Sequence, residues 1–132
     1  MSIDKGDRIT ASYKSGRYIG KVIDLKPSLQ KAVVEIHAIL VHPKQGDLHA
    51  PNQADVPFFH ERPALAFREK ALVPISSIKK YDGEVLDYYE SLIDSLQKQI
   101  STLAKDESDY AQLAYKRLST LKAEYEKKRM DI

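Results

Sequence analysis

Proline and glycine residues interrupt the middle of this chain and divide it into two parts of different character. Residues 42–69 read HPKQGDLHAPNQADVPFFHERPALAFRE and hold four of the six prolines, three of the four histidines and all three phenylalanines. Proline lacks the donor that a sheet needs and restricts the residue before it, so we expect no regular structure for roughly twenty residues. A loop of that length in a compact domain usually carries function, and Phe58 and Phe59 argue against disorder.

Short β-strands are predicted on both sides of this loop. Apolar residues alternate at period two in 7–13 and 31–41, while 17–26 is apolar on both faces, as a strand of a curled barrel requires. The predicted strands are 7–13, 17–26, 31–41, 64–73 and 79–81. Gly16 marks a turn in which glycine takes a positive φ, and Gly20 predicts a bend or bulge. In the fourth strand we expect Leu65 and Phe67 to face inward. Five short strands with one long excursion predict a small SH3-like β-barrel.

Residues 84–132 have the pattern of an antiparallel α-helical hairpin. The predicted inner stripe of the first helix contains Val85, Tyr89, Leu92, Leu96 and Leu103, widened by Leu86, Ile93 and Ile100. The second helix is predicted from about Asp109 to Arg129. Its inner stripe contains Tyr110, Leu113, Ala114, Leu118, Leu121 and Tyr125. Either Asp106 or Ser108 can cap the second helix. We therefore expect an α+β chain, with a barrel over 1–83 that includes a 42–63 loop, and a hairpin over 84–132. The barrel or another chain must cover the helical stripes.

Composition excludes several classes of protein. The 132 residues contain no cysteine, so disulfides, thiolate zinc sites and cysteine nucleophiles are absent. The net charge of +2 lacks the basic footprint of a dedicated nucleic-acid binder. The N-terminus MSIDKGDRIT is polar, and the chain has no apolar run long enough to span a bilayer. We expect a cytoplasmic protein that does not insert into the membrane directly.

The polar residues allow three roles other than protein binding to be considered: a metal site, an enzyme active site and a phosphoryl acceptor. A metal site would use His42, His49 and His60 with Asp47 and Asp55, but their spacing matches no compact motif, and we expect no metal or cofactor. No Gly-x-Ser-x-Gly elbow exists, so we expect no enzyme. Residues 84–132 contain no histidine that could accept a phosphoryl group.

A nucleic-acid-binding small β-barrel is the main alternative. Lys14, Arg17, Tyr18 and Lys21 lie near one hairpin, where aromatic and basic residues could meet a nucleic acid. Ordinary solvated strand faces with one structural tyrosine would produce the same pattern. The near-balanced charge favours that second explanation, and we expect no nucleic acid among the partners.

Four segments of the chain resemble the kinase-associated lipoprotein B family of bacilli. They are SGRYIGKV (15–22), HPKQGDLH (42–49), ADVPFFHERPALAFRE (54–69) and KKYDGE (79–84). The resemblance implies a non-enzymatic adaptor that supports a sensor histidine kinase in the sporulation phosphorelay. The implied partner is that kinase or a phosphorelay protein, and homodimer formation stays open. Since the chain lacks a cysteine to lipidate, any position at the inner face of the membrane would depend on the partner.

The family motifs also supply candidate residues for the partner surface. These are Asp47, His49, Phe58, Phe59, His60, Glu61, Arg62 and Arg68. Aromatic and arginine side chains often anchor interfaces, and neighbouring prolines lower the entropy cost of holding them in one shape. For at least one of Phe58 and Phe59, plugging the open end of the barrel is an equal alternative. Phe67 is expected in the core.

Overall fold

The computed structural model describes residues 3–46 and 62–130, with the side chains of 129 and 130 left out. Its strands are β1 (Arg8–Tyr13), β2 (Gly16–Lys26), β3 (Lys31–Val41), β4 (Lys70–Pro74) and β5 (Lys79–Lys80). Its helices are α1 (Tyr88–Leu103) and α2 (Asp109–Met130), and short 3-10 turns cover Pro27–Leu29 and Ile75–Ser77. The predicted architecture of five short strands followed by two helices is confirmed.

The strands form one antiparallel sheet in the order β4-β3-β2-β1-β5. The two outer strands, β4 and β5, are consecutive in the chain and separated only by the turn Ile75–Ser77 and Ile78. So short a connection between opposite edges requires the sheet to curl, as it does in an SH3-like barrel. The pairings among the described strands leave the barrel open between β4 and β5.

Gly20 explains part of this curvature. The pairing of β2 with β3 shifts register between Ile19 and Gly20, which confirms the irregularity predicted there. A Cβ atom added to Gly20 would collide with the main-chain oxygen of Glu35 on the neighbouring strand. The β1–β2 turn differs from expectation, because the positive φ of 52° falls on Lys14 and not on Gly16.

The prediction for the fourth strand was wrong at its beginning. β4 starts at Lys70, because the backbone of Arg68 takes a φ of 67° and forms a turn in which the Glu69 N–H bonds the Ala66 carbonyl. Strand alternation therefore does not apply to the residues before that turn. Phe67 is 53% exposed, contrary to its predicted place in the core, whereas Leu65 is half-buried.

Helix α1 begins later than its apolar pattern predicts, and its buried face shares Leu92, Leu96 and Ile100 with the predicted residues. The Asp87 carboxylate accepts from the Glu90 N–H at 2.9 Å and caps the helix, so Val85 and Leu86 lie in the segment before it. The buried face consists of Tyr88, Ser91, Leu92, Ser95, Leu96 and Ile100. Its two serines are small, and the Ser91 hydroxyl accepts from the Ile39 N–H of β3 at 3.0 Å. This contact brings α1 close to the sheet.

Helix α2 packs along α1 through the stripe that was predicted for it. Ala114, Leu118, Leu121 and Tyr125 are buried, and the Ser108 hydroxyl accepts from the Ala111 N–H at 3.1 Å, as a capping residue does. Strand and helix residues belong to a single hydrophobic cluster, so the hairpin packs on its own sheet. Across 3–46 and 62–130, no helix combines the length and apolar character needed to cross a membrane.

Candidate functional site

The structure describes two of the eight residues predicted for a partner surface, Arg62 and Arg68. The other six, Asp47, His49, Phe58, Phe59, His60 and Glu61, lie outside the described residues. Arg62 and Arg68 occupy different environments. Arg62 lies where the chain returns from the segment 47–61, and Arg68 lies in the turn before β4.

Gln45 joins the residues on the two sides of the segment 47–61. Its side-chain oxygen accepts from the Arg62 N–H at 2.8 Å, and its side-chain nitrogen donates to the Arg62 carbonyl at 3.0 Å. The Arg62 Nε donates to the Gly46 carbonyl at 2.7 Å. Gln45 is buried, so water does not compete for these bonds. The chain therefore leaves at Gly46 and returns at Arg62 at one defined place, and Arg62 has a structural role there.

Tyrosine hydroxyls attach both loop ends to the rest of the protein. Two tyrosine hydroxyls donate: Tyr110 to the Gln45 carbonyl at 2.9 Å and Tyr88 to the Leu65 carbonyl at 2.6 Å. Two others accept: Tyr125 from the Ala64 N–H at 3.0 Å, and Tyr18 from the Leu65 N–H at 3.3 Å. Burial raises the pKa of Tyr18 to about 12, and it also raises the pKa of Tyr88 and of Tyr110. The hydroxyls of Tyr18, Tyr88 and Tyr110 therefore stay protonated at neutral pH. Sequence reasoning missed these bonds. The available signal was the presence of tyrosines on apolar helix stripes, because a buried hydroxyl usually finds a hydrogen-bond partner.

His42 is a buried, neutral part of the same framework. Its Nδ1 lies 2.9 Å from the Pro43 carbonyl, which can only accept, so Nδ1 carries the proton and Nε2 accepts from the Tyr125 hydroxyl at 3.1 Å. Burial lowers the pKa of His42 to about 4. Gln99 on α1 donates to the His42 carbonyl. Both ring nitrogens are engaged, so in this arrangement His42 does not serve as the metal ligand considered in the sequence analysis.

Arg68 and Phe67 border a groove between the sheet and the beginning of α1. The Phe67 ring lies 5.6 Å from the Tyr88 ring and 6.4 Å from the His37 ring, measured between centroids. A hollow of about 570 Å³ lies beside them, and Leu86, 43% exposed, forms part of its wall. A second hollow of about 540 Å³ continues from Leu86 along α1 past Ile93. We call the two together the Leu86 groove, bordered by Phe67, Arg68, Leu86, Tyr89, Glu90 and Ile93.

A small charged cluster closes the sheet side of the Leu86 groove. The Glu35 carboxylate lies 2.8 Å from His37 Nε2 and 3.8 Å from Arg68 Nε. The bond from His37, followed by the charge of Arg68, lowers the pKa of Glu35 although partial desolvation opposes this. The main chain of Ile36 bonds both Arg68 and Glu69, at 2.7 and 2.9 Å. The turn is thus fixed against β3, and the positive φ of Arg68 holds its side chain and that of Phe67 outward.

The Leu86 groove combines exposed apolar side chains with charged ones. In 3–46 and 62–130, every buried side-chain nitrogen or oxygen has a hydrogen-bond partner. The same ranges contain no group of three residues able to hold a metal ion. Tyr18, the aromatic residue of the nucleic-acid alternative, is buried, so it cannot stack on a base. Exposed apolar side chains beside one arginine are typical of protein interfaces.

Comparison with known proteins identifies similar sequences and a similar structure. The sequence model of a family described as "Kinase associated protein B" matches residues 13–126. A Bacillus subtilis (strain 168) protein named "Kinase-associated lipoprotein B" is 44% identical over 124 residues, which cover 94% of this chain and 95% of that protein. The crystal structure of kinase-associated protein B from Bacillus cereus superposes with a TM-score of 0.80 at 35% identity, covering 95% of this chain and 99% of that one.

Proposed function

Since the chain belongs to the kinase-associated protein B family, we propose that it is a non-enzymatic accessory protein that binds a sensor histidine kinase or another phosphorelay protein of sporulation. The names of its relatives support association with a kinase. The sporulation phosphorelay is the finer part of the proposal and rests on the family resemblance. Any position at the inner face of the membrane would come through the kinase.

One observation carries the proposal: Phe67 is an exposed aromatic residue on a turn that the fold holds rigidly. The Ile36 main chain fixes the adjacent Arg68 and Glu69, and Tyr88 supports the Phe67 ring from α1. An aromatic side chain that is already ordered loses little conformational entropy on binding. Aromatic and arginine residues in such positions are enriched among the residues that dominate binding energy.

The loop ends support a role for the rest of the 42–69 stretch. Gln45, Arg62 and the tyrosine hydroxyls hold together the residues that flank 47–61, and Leu65 connects them to the turn that carries Phe67. We therefore keep as candidate contacts the six residues that lie between those ends, Asp47, His49, Phe58, Phe59, His60 and Glu61. Arg62 belongs to the framework that positions them.

The test measures binding between the intact chain and the purified phosphorelay proteins of sporulation, including the cytoplasmic region of each sensor histidine kinase, by biolayer interferometry. We expect one of them to bind, and the double change Phe67→Ala, Arg68→Ala to weaken that binding by about 2 kcal/mol or more, the loss typical of a central interface residue. The melting curve should be nearly unchanged because both side chains are exposed. The matched control is Leu29→Ala with Lys31→Ala, which removes an exposed apolar residue from the turn before β3 and a basic residue from the start of β3.

Two results would count against this function. If no kinase or relay protein binds the intact chain, the accessory role is wrong. If the chain is instead retained on a nucleic-acid column at about 50 mM salt and released at higher salt, the nucleic-acid alternative is favoured, since phosphate contacts release counterions. A chain truncated after Asp82 is not a suitable variant for this binding test. It would lack α1, which covers part of the hydrophobic core.

A further inference from the structure

The Leu86 groove lies between a helix and a stretch of β3 that is already paired. The α1 wall is helical, where the Glu90 N–H donates to the Asp87 carboxylate and the Ser91 N–H donates to the Asp87 carbonyl, so it presents no strand edge. On the sheet side, the N–H and C=O of Ile36 are already bonded to Glu69 and Arg68. Addition of a strand needs an open edge, so an occupant must rely on side chains. An amphipathic helix presents apolar side chains in that way.

The size of the groove agrees with a helical occupant. Its two hollows, of about 570 and about 540 Å³, follow one another along the beginning of α1 and share Leu86. Each hollow can hold large apolar side chains, and successive anchors on a helix recur every three or four residues, about 5–6 Å apart. The wall from Tyr88 to Gln97 is ten residues of helix, or about 14 Å, which is the length of two to three turns.

The more exposed charges on the two sides of the groove differ in sign, because Glu35 on the sheet side is only 15% exposed whereas Arg68 beside it is 69% exposed. Glu90 and Asp94 lie on the α1 side, and Asp94 forms a 3.4 Å ion pair with the exposed Lys98, whereas Glu90 has no ion pair within the described ranges. Asp87 caps the helix and is already used by the Glu90 N–H. On the opposite side, the Arg68 side chain is mostly exposed and reaches Glu35 only at 3.8 Å.

We propose that the Leu86 groove binds an amphipathic α-helix of the partner protein whose flank facing α1 carries lysine or arginine. Its apolar face contacts Phe67, Leu86 and Ile93, its basic flank faces Glu90 and Asp94, and an acidic residue on the other flank meets Arg68. This inference rests on the proposed function, because it specifies which chemistry of the partner is recognised. Complementary charges would select the direction of the helix and increase the association rate.

Two synthetic helices of about 18 residues test this recognition. They share one leucine stripe at helical spacing and differ in one flank, which is lysine in the first and glutamate in the second. Fluorescence polarisation with the full chain should show the lysine helix binding about tenfold more tightly at low salt, with a smaller difference at high salt. The double change Glu90→Lys, Asp94→Lys should reverse the order of the two helices. The change Leu86→Ala should weaken both.

Matched controls separate this result from general charge effects. The changes Glu124→Lys and Glu126→Lys alter the net charge equally on the exposed surface of α2, and Leu29→Ala removes a side chain that is 58% exposed. Neither control should change the preference for the lysine helix. Circular-dichroism melts of all variants verify that the fold is retained.

The outcomes distinguish this inference from the proposed function. If a kinase binds the intact chain but Glu90→Lys, Asp94→Lys leaves that affinity unchanged and neither helix binds, the inference is overturned and the accessory function stands. Equal binding of both helices at every salt concentration also overturns it. If the lysine helix binds as expected and competes with the kinase, the inference is supported. If it binds while no kinase or relay protein does, the groove chemistry is supported and the proposed function is wrong.

Discussion

The hydroxyl of Tyr125 lies 3.1 Å from Nε2 of His42, a residue 83 positions earlier in the chain. The same hydroxyl accepts from the Ala64 N–H at 3.0 Å. One residue near the end of α2 therefore joins the strand side and the return side of the 47–61 segment. This explains how a helix that lies mainly against α1 also positions the loop ends.

Replacement of Tyr125 by phenylalanine should destabilise the protein by about 2–4 kcal/mol, because His42 Nε2 and the Ala64 N–H then lose their shared partner. Urea unfolding followed by circular dichroism measures this loss. The control is Tyr115→Phe on the same helix, which removes a hydroxyl from a side chain that is 43% exposed and should change stability by less than about 0.5 kcal/mol. Equal stability of the two variants would contradict the role given to Tyr125.

The buried imidazole of His42 should make stability depend on pH. Unfolded His42 binds a proton below its ordinary pKa of 6.5, whereas in the folded protein burial lowers the pKa to about 4. Between these values unfolding takes up a proton, so the free energy of unfolding decreases as the pH falls. From about pH 7 to about pH 5 the loss should be about 2 kcal/mol.

Urea unfolding across that pH range tests the assignment to His42. His42→Gln removes the titrating group, and the variant should lose this pH dependence even though it is less stable overall. Lowered pKa values of the Asp24 and Glu35 carboxyls affect stability only at more acidic pH, so they do not obscure the effect. An unchanged slope in His42→Gln would show that another group is responsible.

Ser91 should be important for the packing of α1 on the sheet. Its hydroxyl donates to the Tyr88 carbonyl of its own helix at 2.8 Å and accepts from the buried Ile39 N–H of β3. Ser91→Ala would leave that N–H without a partner at a cost of about 1–3 kcal/mol. Ser101→Ala, at an exposed position of α1, is the control and should be nearly neutral. Thermal unfolding of the two variants provides the comparison.

Gly20→Ala should destabilise the sheet by about 1–3 kcal/mol, the range observed when atoms are added to a packed interior. The added methyl would meet the Glu35 carbonyl, and it would approach Val34 Cγ1 to 2.7 Å. The backbone cannot move aside without opening the β2–β3 ladder. Lys21→Ala, at the exposed neighbouring position, is the control. A melt equal to that of the control would show that the sheet relaxes at this bend.

Local signals in the sequence were enough to predict much of the fold. Period-two alternation predicted β3 over 31–41, and α2 buries the stripe from Ala114 to Tyr125 that helical periodicity predicted. Gly20 indicated the irregularity of β2, and the cap of α2 is one of the two candidates, Ser108. Each of these features depends on residues close together in the chain, so their pattern is visible without coordinates.

Only the tertiary structure decided which way Phe67 points and which hydroxyls hold the loop ends. The positive φ of Arg68 delays β4 and leaves Phe67 outward, and neither residue carries a local signal for it. The hydrogen bonds from tyrosine hydroxyls to the loop ends join residues 23 to 65 positions apart. Helical periodicity predicts which rings are buried, but it does not predict which peptide group each hydroxyl binds. That choice follows from how α1 and α2 pack against the sheet, because a hydrogen bond requires two particular atoms to lie within about 3 Å of each other.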